Sequence, residues 1–123
     1  MRRALLSIRD RLDRTGIFLS GLCVVHCLAG LVLVSVLGLG GEALLAPIWH
    51  RAGLALAIVI GGVAIGLGAK RHGRLAPLAV AALGLALMGG GLLVDHGARE
   101  AILTVCGVLL VATAHILNLR HAH

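Results

Sequence analysis

The chain has 123 residues, 59% of them hydrophobic and only 13% charged, with a mean hydropathy of +1.05. A soluble domain carries roughly 25% charged residues, so an ordinary water-soluble globule is excluded, and the length suits one domain. The net charge of +6 is no nucleic-acid footprint, because the basic residues lie between apolar stretches, where they act as membrane-orientation signals.

Residues 1–15 form a short basic segment in which Leu5, Leu6, Ile8 and Leu12 alternate with arginines. Such a segment can lie along a lipid surface with its arginines on the head groups, or it is a tail that only sets orientation. Four stretches without Asp, Glu, Lys or Arg follow, at 15–41, 52–69, 75–94 and 101–119, of 27, 18, 20 and 19 residues. A helix needs about 20 residues to cross the hydrocarbon core, and lipid tolerates no unsatisfied backbone. The expected fold is all-α, with transmembrane helices near 17–38, 49–69, 75–94 and 100–119 in a compact antiparallel bundle. The apolar runs are continuous, which argues against a β-barrel, and the first is too long for a cleaved signal peptide. Domain organisation is then a segment 1–15, a membrane domain 16–120 and a histidine-containing tail 121–123.

Nine of the eleven basic residues, Arg2, Arg3, Arg9, Arg11, Arg14, Lys70, Arg71, Arg74 and Arg120, fall on one side of four crossings, leaving Arg51 and Arg99 on the other. The positive-inside rule puts both termini in the cytoplasm. Small residues recur every four positions at Gly53, Ala57 and Gly61, joined by Gly62 and Gly66, and at Ala82, Ala86 and Gly90. This pattern lets helices approach closely, within one chain or between copies of a homo-oligomer.

The first span holds Cys23-Val24-Val25-His26-Cys27, beginning about six residues from its expected cytoplasmic end. The i, i+3, i+4 spacing puts Cys23, His26 and Cys27 on one helix face. Thiolate and imidazole suit Hg(II), Cu(I) or Zn(II) and not Mg or Ca. Two thiolates neutralise a divalent ion, which is what a metal in hydrocarbon needs. The cysteines are expected to share a ligand, since Cβ atoms about 5–6 Å apart on a helix are too far apart for a disulfide. His115, with Asn118 three residues on, is expected at a similar depth on span four, where it can complete the site or glue helices by hydrogen bonds. Secondary candidates are His50 and His96 on the far rim, near Glu42, Asp95 and Glu100, and His121 and His123 in the tail. Cys106 reads as packing, and His72 as part of a basic loop. A haem ligated by His26 and His115 is an alternative. No phosphate loop, Ser-His-Asp set or paired intramembrane carboxylates point to an enzyme; Gly61-Gly62-Val63-Ala64-Ile65-Gly66 follows no strand, so it is no dinucleotide motif.

Leu19-Ser20-Gly21-Leu22-Cys23-Val24-Val25-His26-Cys27 resembles the first-helix signature of the MerC-like mercury-resistance membrane proteins, and Ala114-His115-Ile116-Leu117-Asn118-Leu119-Arg120 resembles that family's last helix. The resemblance implies a multi-pass bacterial inner-membrane protein that moves Hg(II) inward to a cytosolic mercuric reductase. It carries the family's cysteine pair to Cys23 and Cys27, and its C-terminal His and Asn to His115 and Asn118. Where such proteins often have cysteine after the last helix, this chain reads Arg120-His121-Ala122-His123. Zn(II), Cu or Fe(II) are the alternative ions.

Overall fold

The computed structural model describes residues 2–38, 47–94 and 98–120. They form four helices: α1 (Arg2–Leu37), α2 (Pro47–His72), α3 (Ala76–Gly91) and α4 (Ala98–Arg120). There is no strand among the described residues. Three segments, Ser7–Leu37, Ile48–His72 and Arg99–Arg120, are long and apolar enough to cross a membrane, while Ala76–Gly91 is shorter. The four expected helices are therefore present, with different ends. His96, His121 and His123, together with Glu42 and Asp95, lie outside the described residues.

The ends follow from local chemistry. Between residues 2 and 16 the chain has no proline and no glycine before Gly16, so nothing breaks the helix and α1 runs 36 residues without interruption. At the far end of α2, Gly73 adopts φ 68° and its N–H donates to Ala69 O at 2.9 Å. A left-handed glycine is the usual stop for a helix, and Lys70, Arg71 and His72 in the last turn suit its negative dipole end. Pro77 in the first turn of α3 loses no hydrogen bond there. Gly89-Gly90-Gly91 weakens the other end, and the N–H groups of Leu92 and Leu93 turn back onto Gly89 O and Gly90 O at 3.1 and 3.0 Å. This tight turn ends α3 before the expected residue 94.

α3 packs closely on α4. Its buried face is Pro77, Ala81, Gly84, Met88 and Gly91, a helical stripe of period 3.6. A Cβ on Gly84 would lie 2.6 Å from Gly107 O, and one on Gly107 would lie 2.5 Å from Gly84 O. The small-residue contact is real, but its register differs from the expected one. Ala82 and Ala86 face outward, because the i, i+4 repeat read from the sequence also fits a face one to two residues away. On α2, Gly61, Gly62 and Gly66 have nothing within 4 Å of a notional Cβ; the close approach there is Gly68 on the Asn118 side chain.

Two buried clusters fill the bundle: Ile65, Ala81 and Ala114 towards the end that carries the described termini, and Met88, Val108 and Val111 further in. Cys23, Val24, Leu54, Ala57 and Leu85 pack against the second. Large apolar side chains elsewhere point outward, among them Val25, Val36, Val59 and Leu83, as expected of helices whose outer face meets lipid.

Candidate metal centre

Antiparallel packing of α1 on α2 and α4 sets the depth of every candidate. Gly16 of α1 lies under the His115 ring of α4, and Cys23 Sγ stands 3.6 Å from the Cβ position of Gly53 on α2. Gly53 is six residues into α2 from Pro47, so Cys23 and Cys27 sit in the half of the bundle away from the termini. The charge-free run had suggested a depth nearer the terminal end. The difference arises because α1 is longer than a membrane span, and packing fixes its level.

Two cavities run through this region. The outer one, about 30 Å³, is lined by Cys23, His26, Cys27, Trp49, His50, Gly53, Met88 and Thr104. Both cysteines thus line one half-open cleft, with His26 and His50 also among its lining residues. Cys23 and Cys27 are half-buried and free, while Cys106 is exposed on the outside of α4. The His26 ring meets Trp49 edge to face, with centroids 6.2 Å apart and planes at 69°; an exposed Trp of this kind suits a membrane interface.

His50 comes from the secondary candidates to the edge of the cysteine pair. Its Nδ1 lies 3.0 Å from Glu100 Oε1, and its Nε2 makes a close contact with Thr104 Oγ1. The ring is thus held between the Glu100 carboxylate and the Thr104 hydroxyl, both on α4. Glu100 and Thr104 are both buried, so the far rim is partly an internal polar cluster and not loop surface. Among the described residues, no three His, Cys, Asp or Glu side chains are gathered closely enough to hold a metal ion together.

The inner cavity, about 50 Å³, is lined by Cys23, Ser20, Gly16 and His115 along its polar side and by Ile60, Met88, Val108 and Val111 among its apolar walls. Cys23, Gly53 and Met88 border both cavities. His115 therefore does not join the cysteine pair directly. It is level with Gly16, seven residues and about 10 Å of helix from Cys23. The His26–His115 pair considered for haem is ten residues apart in level, about 15 Å, and its members stand on different cavities. Two axial ligands must face one iron.

Beyond His115 lies a polar network joining α1, α2 and α4. His115 Nδ1 is 2.6 Å from Asp13 Oδ1, Asn118 Nδ2 donates to Asp13 Oδ2 at 2.8 Å and to Ala64 O at 3.0 Å, and His72 Nε2 is 2.9 Å from Asn118 Oδ1. Asp13 and Asn118 are 0% exposed and His115 is 1% exposed. Arg9, one turn before Asp13, is also buried and pairs with Asp10 at 3.2 Å. Sequence reasoning missed Asp13, which sits in the segment taken for a surface or tail element. A signal existed: His115 and Asn118 in an apolar helix require partners, and Asp10 and Asp13 are the only acidic residues at that end of an antiparallel bundle. His72, read as part of a loop, is the last residue of α2 and a member of the same network.

A bundle of described helices, three of them long and apolar enough to cross a membrane, with many large apolar side chains turned outward, defines a multi-pass membrane protein. The family model for the MerC mercury resistance protein matches residues 13–120, and the chain belongs to that family. The match begins at Asp13 and ends at Arg120. No curated protein and no solved structure shows a significant match to it.

Proposed function

We propose that this protein carries Hg(II) inward across the bacterial inner membrane by thiolate exchange, with Cys23 and Cys27 as the ligands that take up the ion. The observation that supports this reading is that Cys23 and Cys27 line one half-open cleft together with His26 and His50. Two thiolates cancel the charge of a divalent ion in a medium that otherwise excludes it. Hg(II) is satisfied by two soft donors in line, whereas structural zinc wants four ligands. Two cysteines on one helix face supply two soft donors, which suits Hg(II) better than Zn(II) or Fe(II). His26, or His50 on leaving Thr104, is placed to take a thiol proton or to add a third donor. The basic residues put the terminal end in the cytoplasm, where a mercuric reductase is the acceptor.

The test is Hg(II) uptake by cells that contain a mercuric reductase. Cys23→Ser with Cys27→Ser is expected to reduce uptake to the level of cells lacking the protein, at normal abundance in the membrane. Uptake unchanged in the double variant would remove the thiolate mechanism.

A further inference from the structure

At the end that carries the described termini, polar side chains tie the helices together. Asp13 of α1, His72 of α2, and His115 and Asn118 of α4 are joined by contacts of 2.6, 2.8 and 2.9 Å, and Asn118 also donates to Ala64 O of α2 at 3.0 Å. Asp13, His115 and Asn118 are buried, so the three helices leave no opening between them at this level. Two glycines make the closure tight. A Cβ on Gly16 would overlap the His115 ring, and one on Gly68 would overlap the Asn118 amide. The inner cavity ends against this knot, because Gly16 and His115 line it at one end and Cys23 and Gly53 at the other. Cys23 also lines the half-open cleft further from the termini, on the side where Arg51 and Arg99 are exposed. The thiols thus stand on an open cleft in one direction and behind a closed knot in the other.

We propose that Asp13, His72, His115 and Asn118 form the inner gate of the metal path, shut in this structure, which is then the outward-facing state. The proposal rests on the reading that Cys23 and Cys27 take up an ion from the side away from the termini. Polar groups inside a membrane bundle are expensive and mark function, and holding two cysteines on α1 requires none of these four. An apolar seam that parts exposes hydrocarbon to water. Hydrogen-bonded groups that part exchange their partners for water at small net cost. A polar knot therefore holds the helices in register and still can open. It closes the bundle by contact, whichever member of the Asp13–His115 pair holds the proton. Asp13 lies ten residues before Cys23 on one unbroken helix, so a movement of α1 that frees Asp13 from α4 carries the thiol with it. That link couples the opening of the gate to the place where the ion sits.

The experiment uses the full chain with Cys106→Ser, so that a charged, membrane-impermeant maleimide reports Cys23 and Cys27 alone. The reagent is applied to spheroplasts, which present the outer side, and to inverted membrane vesicles, which present the side of the termini. With the knot intact, labelling should be at least ten-fold faster in spheroplasts. Asn118→Ala removes the ties to Asp13, Ala64 and His72. Gly68→Ala displaces the Asn118 amide and removes no polar group, and it serves where Asn118→Ala does not fold. Each should raise labelling in inverted vesicles at least ten-fold and leave labelling in spheroplasts unchanged. Gly66→Ala, whose Cβ meets nothing within 4 Å, should label as the parent does. Parent labelling no faster in spheroplasts than in inverted vesicles overturns the gate, and so does unchanged labelling in inverted vesicles of the folded variants. The labelling uses no mercury, so its failure is distinct from a failure of the Hg(II) uptake test, which overturns the carrier reading beneath it.

Discussion

Replacing Gly84 by alanine tests the packing that holds the cavities in place. The added Cβ would stand 2.6 Å from Gly107 O, 2.9 Å from Val111 Cγ2 and 3.0 Å from Leu110 Cβ. Two of these neighbours are backbone or the first atom of a side chain, which cannot swing aside. Reaching an ordinary contact of 3.4 Å requires α3 and α4 to part by about 0.8 Å, the difference between 3.4 and 2.6 Å. A gap of that size forfeits a quarter to a half of each dispersion contact along the seam. Overpacking of this kind costs about 1–3 kcal/mol, against which alanine regains about 0.5–1 kcal/mol of helix propensity. The net change runs from about zero to a loss of about 2.5 kcal/mol, and the difference from a site that gains propensity alone is about 1–3 kcal/mol. Gly62→Ala is the matched control: the site is exposed and open, so only the propensity gain remains. Unfolding by SDS titration in mixed micelles, followed by circular dichroism, measures both. A Gly84 variant as stable as the Gly62 variant would refute the argument, because the two then differ by nothing the seam explains.

Asn118→Ala removes the donor to Asp13 and Ala64 and the acceptor for His72; the same titration should show a loss of about 1–3 kcal/mol, the cost of stranding buried polar groups. Gly53→Val adds methyls where a Cβ already stands 3.6 Å from Cys23 Sγ, and should lower thiolate–mercury absorption at one equivalent while circular dichroism stays unchanged. Cys106 is exposed, so Cys106→Ser should alter stability by no more than about 0.5 kcal/mol and leave Hg(II) uptake at the native rate. Because each thiol loses its proton on binding metal, Hg(II) titrations from pH 6 to pH 8 at fixed chloride should tighten with rising pH, and a pH-independent affinity would argue against a two-thiolate ligand set.

Much of the fold was legible because lipid imposes a simple rule: charge-free runs of the right length become helices. The shared face of Cys23, His26 and Cys27 was legible for the same reason, since spacing on one helix is fixed by its pitch. What spacing does not carry is the level of one helix against another. Nothing in α1 alone says that Cys23 meets Gly53 or that Gly16 meets His115, and the depth of the cysteines was misjudged accordingly. Asp13 was hidden by a related ambiguity. A carboxylate among arginines looks like solvated tail until its partner, 102 residues away, is placed beside it. The packing stripe on α3 was missed in register because Ala81, Ala82, Gly84, Ala86 and Gly90 offer several overlapping small faces, and only contact with Gly107 selects one.

The brevity of α3 has a consequence for the surrounding lipid. Its 16 residues reach about 24 Å at 1.5 Å each, some 6 Å less than a typical hydrocarbon layer of about 30 Å. Acyl chains beside it must shorten or the adjoining turns must sink, at a modest cost for each ångström. Bilayers built from shorter-chain phospholipids should therefore suit this protein better than thick ones.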